Sequence, residues 1–175
     1  MEDRLKKIKA FVFDVDGVLT DGGILATLDG DLLRTFDAKD SFAMRMAAMH
    51  DYCLGVITGG RSVSIVKRVV SCGIGSEDVY LGSRDKVEDF QNFCKRHELD
   101  PDQVMYFGDD LPDIPVLTAC GCGVCPSDAV EEVKEAVHWV SDLPGGKGCV
   151  RSCIEKVMKM HGKWQLDVGR YKAQF

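Results

Sequence analysis

Two tight groups of acids stand out. "FVFDVDGVLTDG" carries Asp14 and Asp16 at the end of an apolar run, and "YFGDDLPDIP" carries Asp109, Asp110 and Asp113 at the end of another. If the first strand continues through Asp16, both of its carboxylates face the same side. Like charges so close together are unfavourable unless a cation lies among them. A hard divalent ion with oxygen ligands answers that need, and Mg²⁺ suits a site that handles phosphate. Between the acid groups, "VITGGRS" offers Thr58, then Gly59 and Gly60, then Arg61. The glycines free the backbone to come close to a ligand, and the flanking Thr and Arg make that ligand an anion. Lys86, in "SRDKVEDF", stands at a helix start, where a cation opposes the helix dipole. That misfit points to a role, because a lysine can neutralise a phosphate and the acids around it. Taken singly, each of these residues also reads as a loop residue or a helix cap.

What must position them is an alternation of strands and helices. Strand patterns cover Lys9 to Asp14, Cys53 to Thr58, Asp78 to Leu81, Val104 to Phe107, Cys122 to Cys125 and Val137 to Val140. Helix patterns cover Asp40 to Met49, with Asp40 and Ser41 as caps, then Ser62 to Ser71, Asp85 to His97, a segment from Asp110 to about Ala119, a segment after Asp128, and Val150 to Met160. Asp29-Gly30, between Ile24-Leu25 and Leu32-Leu33, signals a β-hairpin. This order predicts a three-layer α/β/α, Rossmann-like fold with a mostly parallel sheet. In such sheets the site lies beyond the carboxyl ends of the strands, which is where Asp14, Asp16, Thr58, Asp109 and Asp110 fall. We expect one domain over residues 1–162, with a hairpin flap at about 18–36 and a polar, mobile tail over 163–175.

The chain of 175 residues has a formal net charge of −6, which argues against a nucleic-acid binder but leaves an anionic substrate open. No apolar stretch is long enough to span a membrane. The charged start, Met1 to Lys7, has no signal-peptide core. Several of the eight cysteines sit within apolar runs, so the expectation is reduced thiols in a cytoplasmic protein. Cys120, Cys122 and Cys125 lack a fourth ligand for a tetrahedral metal site and read as core. His50, His97, His138 and His161 show no ligand spacing. The helix from Val150 to Met160 carries Ile154, Val157 and Met158 as a packing face.

Asp14-Val15-Asp16-Gly17-Val18-Leu19-Thr20, Ile57-Thr58-Gly59, Lys86, and Gly108-Asp109-Asp110 with Asp113 resemble, in identity and order, the four motifs of the haloacid dehalogenase superfamily of phosphatases. A response-regulator receiver uses similar residue types, but in another order along its strands. The resemblance implies Asp14 as nucleophile and Asp16 as acid and base. It implies Mg²⁺ held by Asp14, Asp109 and the Asp16 backbone carbonyl. Thr58, Gly59 and Lys86 would bind the phosphoryl group, with Asp110 and Asp113 supporting from behind. The intervals Asp14–Thr58 and Thr58–Lys86 are already filled by smaller elements and hold no inserted cap domain. The open site then takes a large substrate or borrows a lid from a neighbouring subunit.

A longer match resembles the 3-deoxy-D-manno-octulosonate 8-phosphate (KDO 8-phosphate) phosphatase family. It runs through "DVDGVLTDGGI", the hairpin, "FDAKDSFAMRMA", "VITGGRS", "YFGDDLPDIPVL" and "LPGGKGCVRSCIEKV". It implies a small phosphorylated sugar-acid substrate and a homotetramer assembled through the hairpin, with a C-terminal tail able to fold over a site. Against that family's pattern, this chain has Lys39-Asp40-Ser41 for Arg-Asp-Gly, Gly60 where an arginine usually follows Thr-Gly, and Lys147 for an arginine. Relatives acting on KDN or N-acylneuraminate 9-phosphate share the scaffold, as do non-catalytic oligomerisation modules; the full motif set favours an enzyme. Gly60 and Arg61 join the expected substrate-binding set, with Arg61 past the phosphate cradle as a clamp for the substrate carboxylate.

Overall fold

The computed structural model describes residues 1–175. In chain order the elements are α1 (Glu2–Leu5), β1 (Ala10–Phe13), β2 (Leu25–Ala26), β3 (Leu32–Leu33), α2 (Ala38–Met49), β4 (Cys53–Thr58), α3 (Val63–Val70), β5 (Val79–Leu81), α4 (Lys86–Arg96), β6 (Val104–Phe107), α5 (Ile114–Ala119), β7 (Cys122–Cys125), α6 (Glu131–Ala136), β8 (Trp139–Val140), α7 (Cys149–Met160) and α8 (Val168–Gln174).

Six strands form one sheet in the order β5-β4-β1-β6-β7-β8, every neighbouring pair parallel. The unbroken apolar runs follow from burial on both faces. Along β1, Phe11 and Phe13 enter one core with α2, α3 and α7, while Ala10 and Val12 enter the other with α4, α5 and α6. β6 divides the same way: Met105 and Phe107 face the first core, Val104 and Tyr106 the second. This is the strand period of two expressed as two hydrophobic layers.

β2 and β3 form a separate two-stranded antiparallel hairpin with Leu25 opposite Leu33. Its apolar residues Ile24, Leu25, Leu28, Leu32 and Leu33 are exposed, so they do not cover the chain's own sheet.

Three expectations are corrected. The first strand ends at Phe13, and Asp14 to Thr20 is an irregular turn in which Gly17 takes φ +88°. Asp14 and Asp16 therefore do not share a strand face. The cap of α2 is Asp37, whose carboxylate accepts from the Lys39 and Asp40 amides. Asp40 is buried and instead accepts from Gly148 N (3.2 Å) and Arg151 N (2.7 Å) at the start of α7. Finally, the segment after Gly162 is not an unstructured tail. It forms α8, and Tyr171 packs against Phe42 and Phe175, with Arg45 over the Phe175 ring. That places the last residues on α2 of the same chain.

No helix is long and apolar enough to cross a membrane.

Candidate active site

The central strands end side by side and deliver the acids to one place. β1 releases Asp14, β4 ends at Thr58, and β6 is followed by Gly108 and Asp109. Asp14, Thr58 and Asp109 line a cleft of about 360 Å³ together with Asp16, Gly59, Gly60, Ser83, Arg84, Lys86, Asp110 and Asp113, and without any large apolar side chain. A larger cavity, about 860 Å³, lies at the opposite, amino ends of the strands. Its lysines are interleaved with aspartates and it holds none of the clustered acids, so size alone does not mark the site.

At the floor, Lys86 Nζ donates to Asp14 Oδ2 and to Asp113 Oδ1, both at 2.7 Å, and all three side chains are nearly fully buried. The lysine reaches inward from the first turn of α4, while Asp85 caps that helix by accepting from the Val87 and Glu88 amides. Asp14 Oδ1 accepts from Val15 N at 2.6 Å. Asp113 has no free oxygen: Tyr106 Oη (2.9 Å) also donates to Oδ1, and the amides of Asp109 (3.1 Å) and Asp110 (3.4 Å) donate to Oδ2. It organises the floor from behind. Asp110 caps the short turn before α5 through Leu111 N.

Asp109 differs. Its Oδ1 is buried with no hydrogen-bond partner. Carboxylate oxygens of Asp14, Asp109 and Asp113 lie within 4.8 Å of one another. Burial, and then repulsion from Asp14, Asp113 and Asp110, pushes the Asp109 carboxyl up to about 7. Burial and Asp113 push Asp14 up to about 6, even though Lys86 pulls the other way. Burial alone would lower Lys86, but its two carboxylate partners outweigh that and raise it. A buried orphan oxygen beside a second strained carboxylate fits a hard divalent cation. Gly17 is required here, because a Cβ at its left-handed backbone would collide with the Asp109 carboxylate.

The remaining residues divide. Asp16 lies in the cleft, but its carboxylate turns to Arg34 from the hairpin, with Nε–Oδ1 at 2.6 Å and Nη2–Oδ2 at 3.0 Å. Thr58 is buried, and its Oγ1 accepts from Gly60 N at 3.2 Å. Gly59 and Gly60 line the cleft; Arg61 does not, and packs its side chain over Gly82. Two cations went unnoticed in the sequence. Arg34 is a lone arginine in a hairpin, and Arg84 a lone arginine in a loop, and neither has a spacing signal. Tyr106 did carry one: a tyrosine in a fully buried strand needs a partner for its hydroxyl.

The description "haloacid dehalogenase-like hydrolase" matches residues 51–148. The 3-deoxy-D-manno-octulosonate 8-phosphate phosphatase of Haemophilus influenzae is 32% identical over 163 residues, 93% of this chain and 89% of that protein. The crystal structure of the enzyme of that name from Yersinia pestis superposes with a TM-score of 0.89 at 31% identity, covering 93% of this chain and 86% of that one. The Moraxella catarrhalis enzyme, crystallised with magnesium, phosphate and KDO, superposes with a TM-score of 0.87 at 28% identity, covering 91% of this chain and 90% of that one. The chain belongs to the haloacid dehalogenase-like hydrolases, as a phosphoric monoester hydrolase similar along nearly its whole length to the KDO 8-phosphate phosphatases.

Proposed function

We propose that the protein hydrolyses KDO 8-phosphate to KDO and phosphate, with Asp14 as the nucleophile and Mg²⁺ as the cofactor. The observation that carries this reading is the floor of the cleft: a buried Asp14–Lys86–Asp113 network beside the orphan oxygen of Asp109. Asp14, Asp109 and the Asp16 backbone carbonyl would hold the metal, which when bound offsets their charge and that of the phosphoryl oxygens.

Asp14 attacks phosphorus as the bond to the sugar oxygen breaks, giving an aspartyl-phosphate. Asp16, which must bind a proton and give up part of its pairing with Arg34 as substrate enters, passes that proton to the leaving oxygen. Water then attacks phosphorus, Asp16 takes its proton, and the Asp14–phosphorus bond breaks. Lys86, Thr58 and the Gly59 amide hold the phosphoryl oxygens, on which charge spreads during transfer. Asp110 and Asp113 fix Lys86 and the Asp109 loop in place.

The exposed apolar residues of the hairpin support assembly through that element, which we read as a homotetramer. Eight free cysteines, most of them buried, support a cytoplasmic enzyme, supplying sugar for activation in lipopolysaccharide synthesis.

Phosphate release with Mg²⁺ tests the reading on KDO 8-phosphate, KDN 9-phosphate, N-acylneuraminate 9-phosphate and a phosphopeptide. KDO 8-phosphate should give the highest kcat/KM, and Asp14→Asn should abolish turnover without changing the circular dichroism spectrum. A higher kcat/KM on a nine-carbon substrate would replace KDO with that sugar acid. No release from any substrate would favour a non-catalytic module.

A further inference from the structure

Two cations line the cleft, Lys86 and Arg84. Lys86 is committed to Asp14 and Asp113. Arg34, which approaches from the hairpin, is committed to Asp16. Arg84 makes no hydrogen bond or ion pair within the chain and is exposed at the rim. An unpaired arginine on an open surface would call for no comment; this one stands over an active-site loop. Its Nη1 lies 3.7 Å from where a Cβ on Gly59 would sit. Arg34 Nη2 lies 3.4 Å from the corresponding point on Gly60. Two guanidinium groups thus lie beside the loop that carries Thr58, and one of them is free.

From these observations we infer that Arg84 selects the substrate by pairing with a carboxylate carried on the same molecule as the phosphate. The inference rests on the phosphatase reading of the cleft floor and names the group that recognises the rest of the substrate. Arg84 and Lys86 flank Asp85, the cap of α4, so one helix start sends a cation inward to the reacting group and another outward to the rim. The neutral hydroxyls of a sugar need no cation. A second anion on the substrate does, because the cleft wall is otherwise acidic: Asp14, Asp16, Asp109, Asp110 and Asp113 all line it. A guanidinium fork matches a carboxylate through two parallel hydrogen bonds. Arg61 lies over Gly82 instead and does not line the cleft.

The test is steady-state kinetics on KDO 8-phosphate, its C1 amide and p-nitrophenyl phosphate, using the wild-type protein, Arg84→Ala, Arg84→Lys and Arg61→Ala. Wild type should favour the acid over the amide. Arg84→Ala should raise KM for the acid roughly 10- to 100-fold, leave its kcat near wild type, and leave the amide and the aryl phosphate unchanged. Arg84→Lys should restore part of the loss, and Arg61→Ala should change little. A preference for the acid that survives Arg84→Ala, or equal losses on acid and amide, overturns the inference. If wild type ignores KDO 8-phosphate but hydrolyses another carboxylated phosphomonoester, the KDO reading falls and the same acid-to-amide comparison on that compound decides Arg84. If it hydrolyses no carboxylated phosphomonoester, the inference falls as well.

Discussion

Arg34 and Asp16 meet fork to carboxylate, 2.6 and 3.0 Å apart, and the arginine side chain is 3% exposed while that of Asp16 is 29% exposed. The hairpin is thus fastened to the cleft through the residue we assign to proton transfer. Its leucines remain exposed, so one small element joins an apolar surface to the cleft.

Replacing Arg34 should affect proton transfer to the leaving group more than phosphoryl transfer itself. We expect Arg34→Gln to lower kcat on a sugar phosphate by roughly 10-fold or more, within the range of general acid–base effects. p-Nitrophenyl phosphate, whose leaving group needs little protonation, should lose less. Rates across a series of aryl and alkyl phosphates should show a steeper dependence on leaving-group pKa. Uniform losses across the series would reduce Arg34 to a structural anchor, as would failure of added guanidinium to restore activity.

The buried acids make stability depend on pH in a definite direction. Asp14 and Asp109 are raised to about 6 and about 7, against roughly 4 for an unfolded carboxyl. Between those limits the metal-free folded state binds more protons than the unfolded chain. Its stability is highest at the acid side of that window and falls as pH rises through it. Calorimetry in chelator should show Tm declining from about pH 5 to pH 8. Asp109→Asn should flatten that slope and raise Tm at pH 8 by roughly 2–4 °C for each kcal/mol recovered. Because metal and protons compete for these oxygens, more Mg²⁺ should be needed at pH 6 than at pH 8. A metal-free Tm that rises with pH over this range would contradict the assignment.

The clustered acids and the strands were legible in the sequence because each has a local cause. β6 and β7 match the apolar runs at Val104–Phe107 and Cys122–Cys125 residue for residue, since strands buried on both faces admit no polar position. Arg34 and Arg84 were not legible, because they gain meaning only when a hairpin and a loop approach the Gly59–Gly60 segment from elsewhere. Asp40 was misplaced for a related reason. Asp37 and Asp40 are both acceptable caps for α2, and only the tertiary position of α7 shows that Asp40 turns away. The polar composition after Gly162 hid Trp164, Tyr171 and Phe175, too widely spaced to register as a packing face.

Asp40 ties the start of α2 to the start of α7, so its loss should be felt in both stability and activity. Asp40→Ala leaves the Gly148 and Arg151 amides without their acceptor, at a cost of about 1–3 kcal/mol. A Tm drop of several degrees is the expected result, with kcat reduced because the loop before α7 backs the Asp14 turn. Asp40→Asn keeps one acceptor oxygen for the two amides and should recover only part of both. If Asp40→Ala unfolds like wild type, the cross-helix cap contributes little.

Assembly through the hairpin predicts that charge on its outer face separates the subunits. If the proposed tetramer forms, Leu28→Asp with Leu33→Asp should convert it to smaller species in sedimentation velocity, with the far-UV spectrum unchanged, because both side chains are exposed in the single chain. A tetramer that survives both changes would place the interface elsewhere.

The loop before α7 bears on the order in which the enzyme is made. Gly145 and Gly146 lie so close to the backbone of Gly17 and Thr20 that a Cβ at either would overlap it, and Gly146 N donates to Val18 O at 2.9 Å. The turn that carries Asp14 is therefore cast against a mould translated more than a hundred residues later. A nascent chain emerging through β8 already carries every acid of the site, yet its first motif has no backing. Activity is then expected only once the 143–148 loop and α7 have been made and packed against the beginning of the chain.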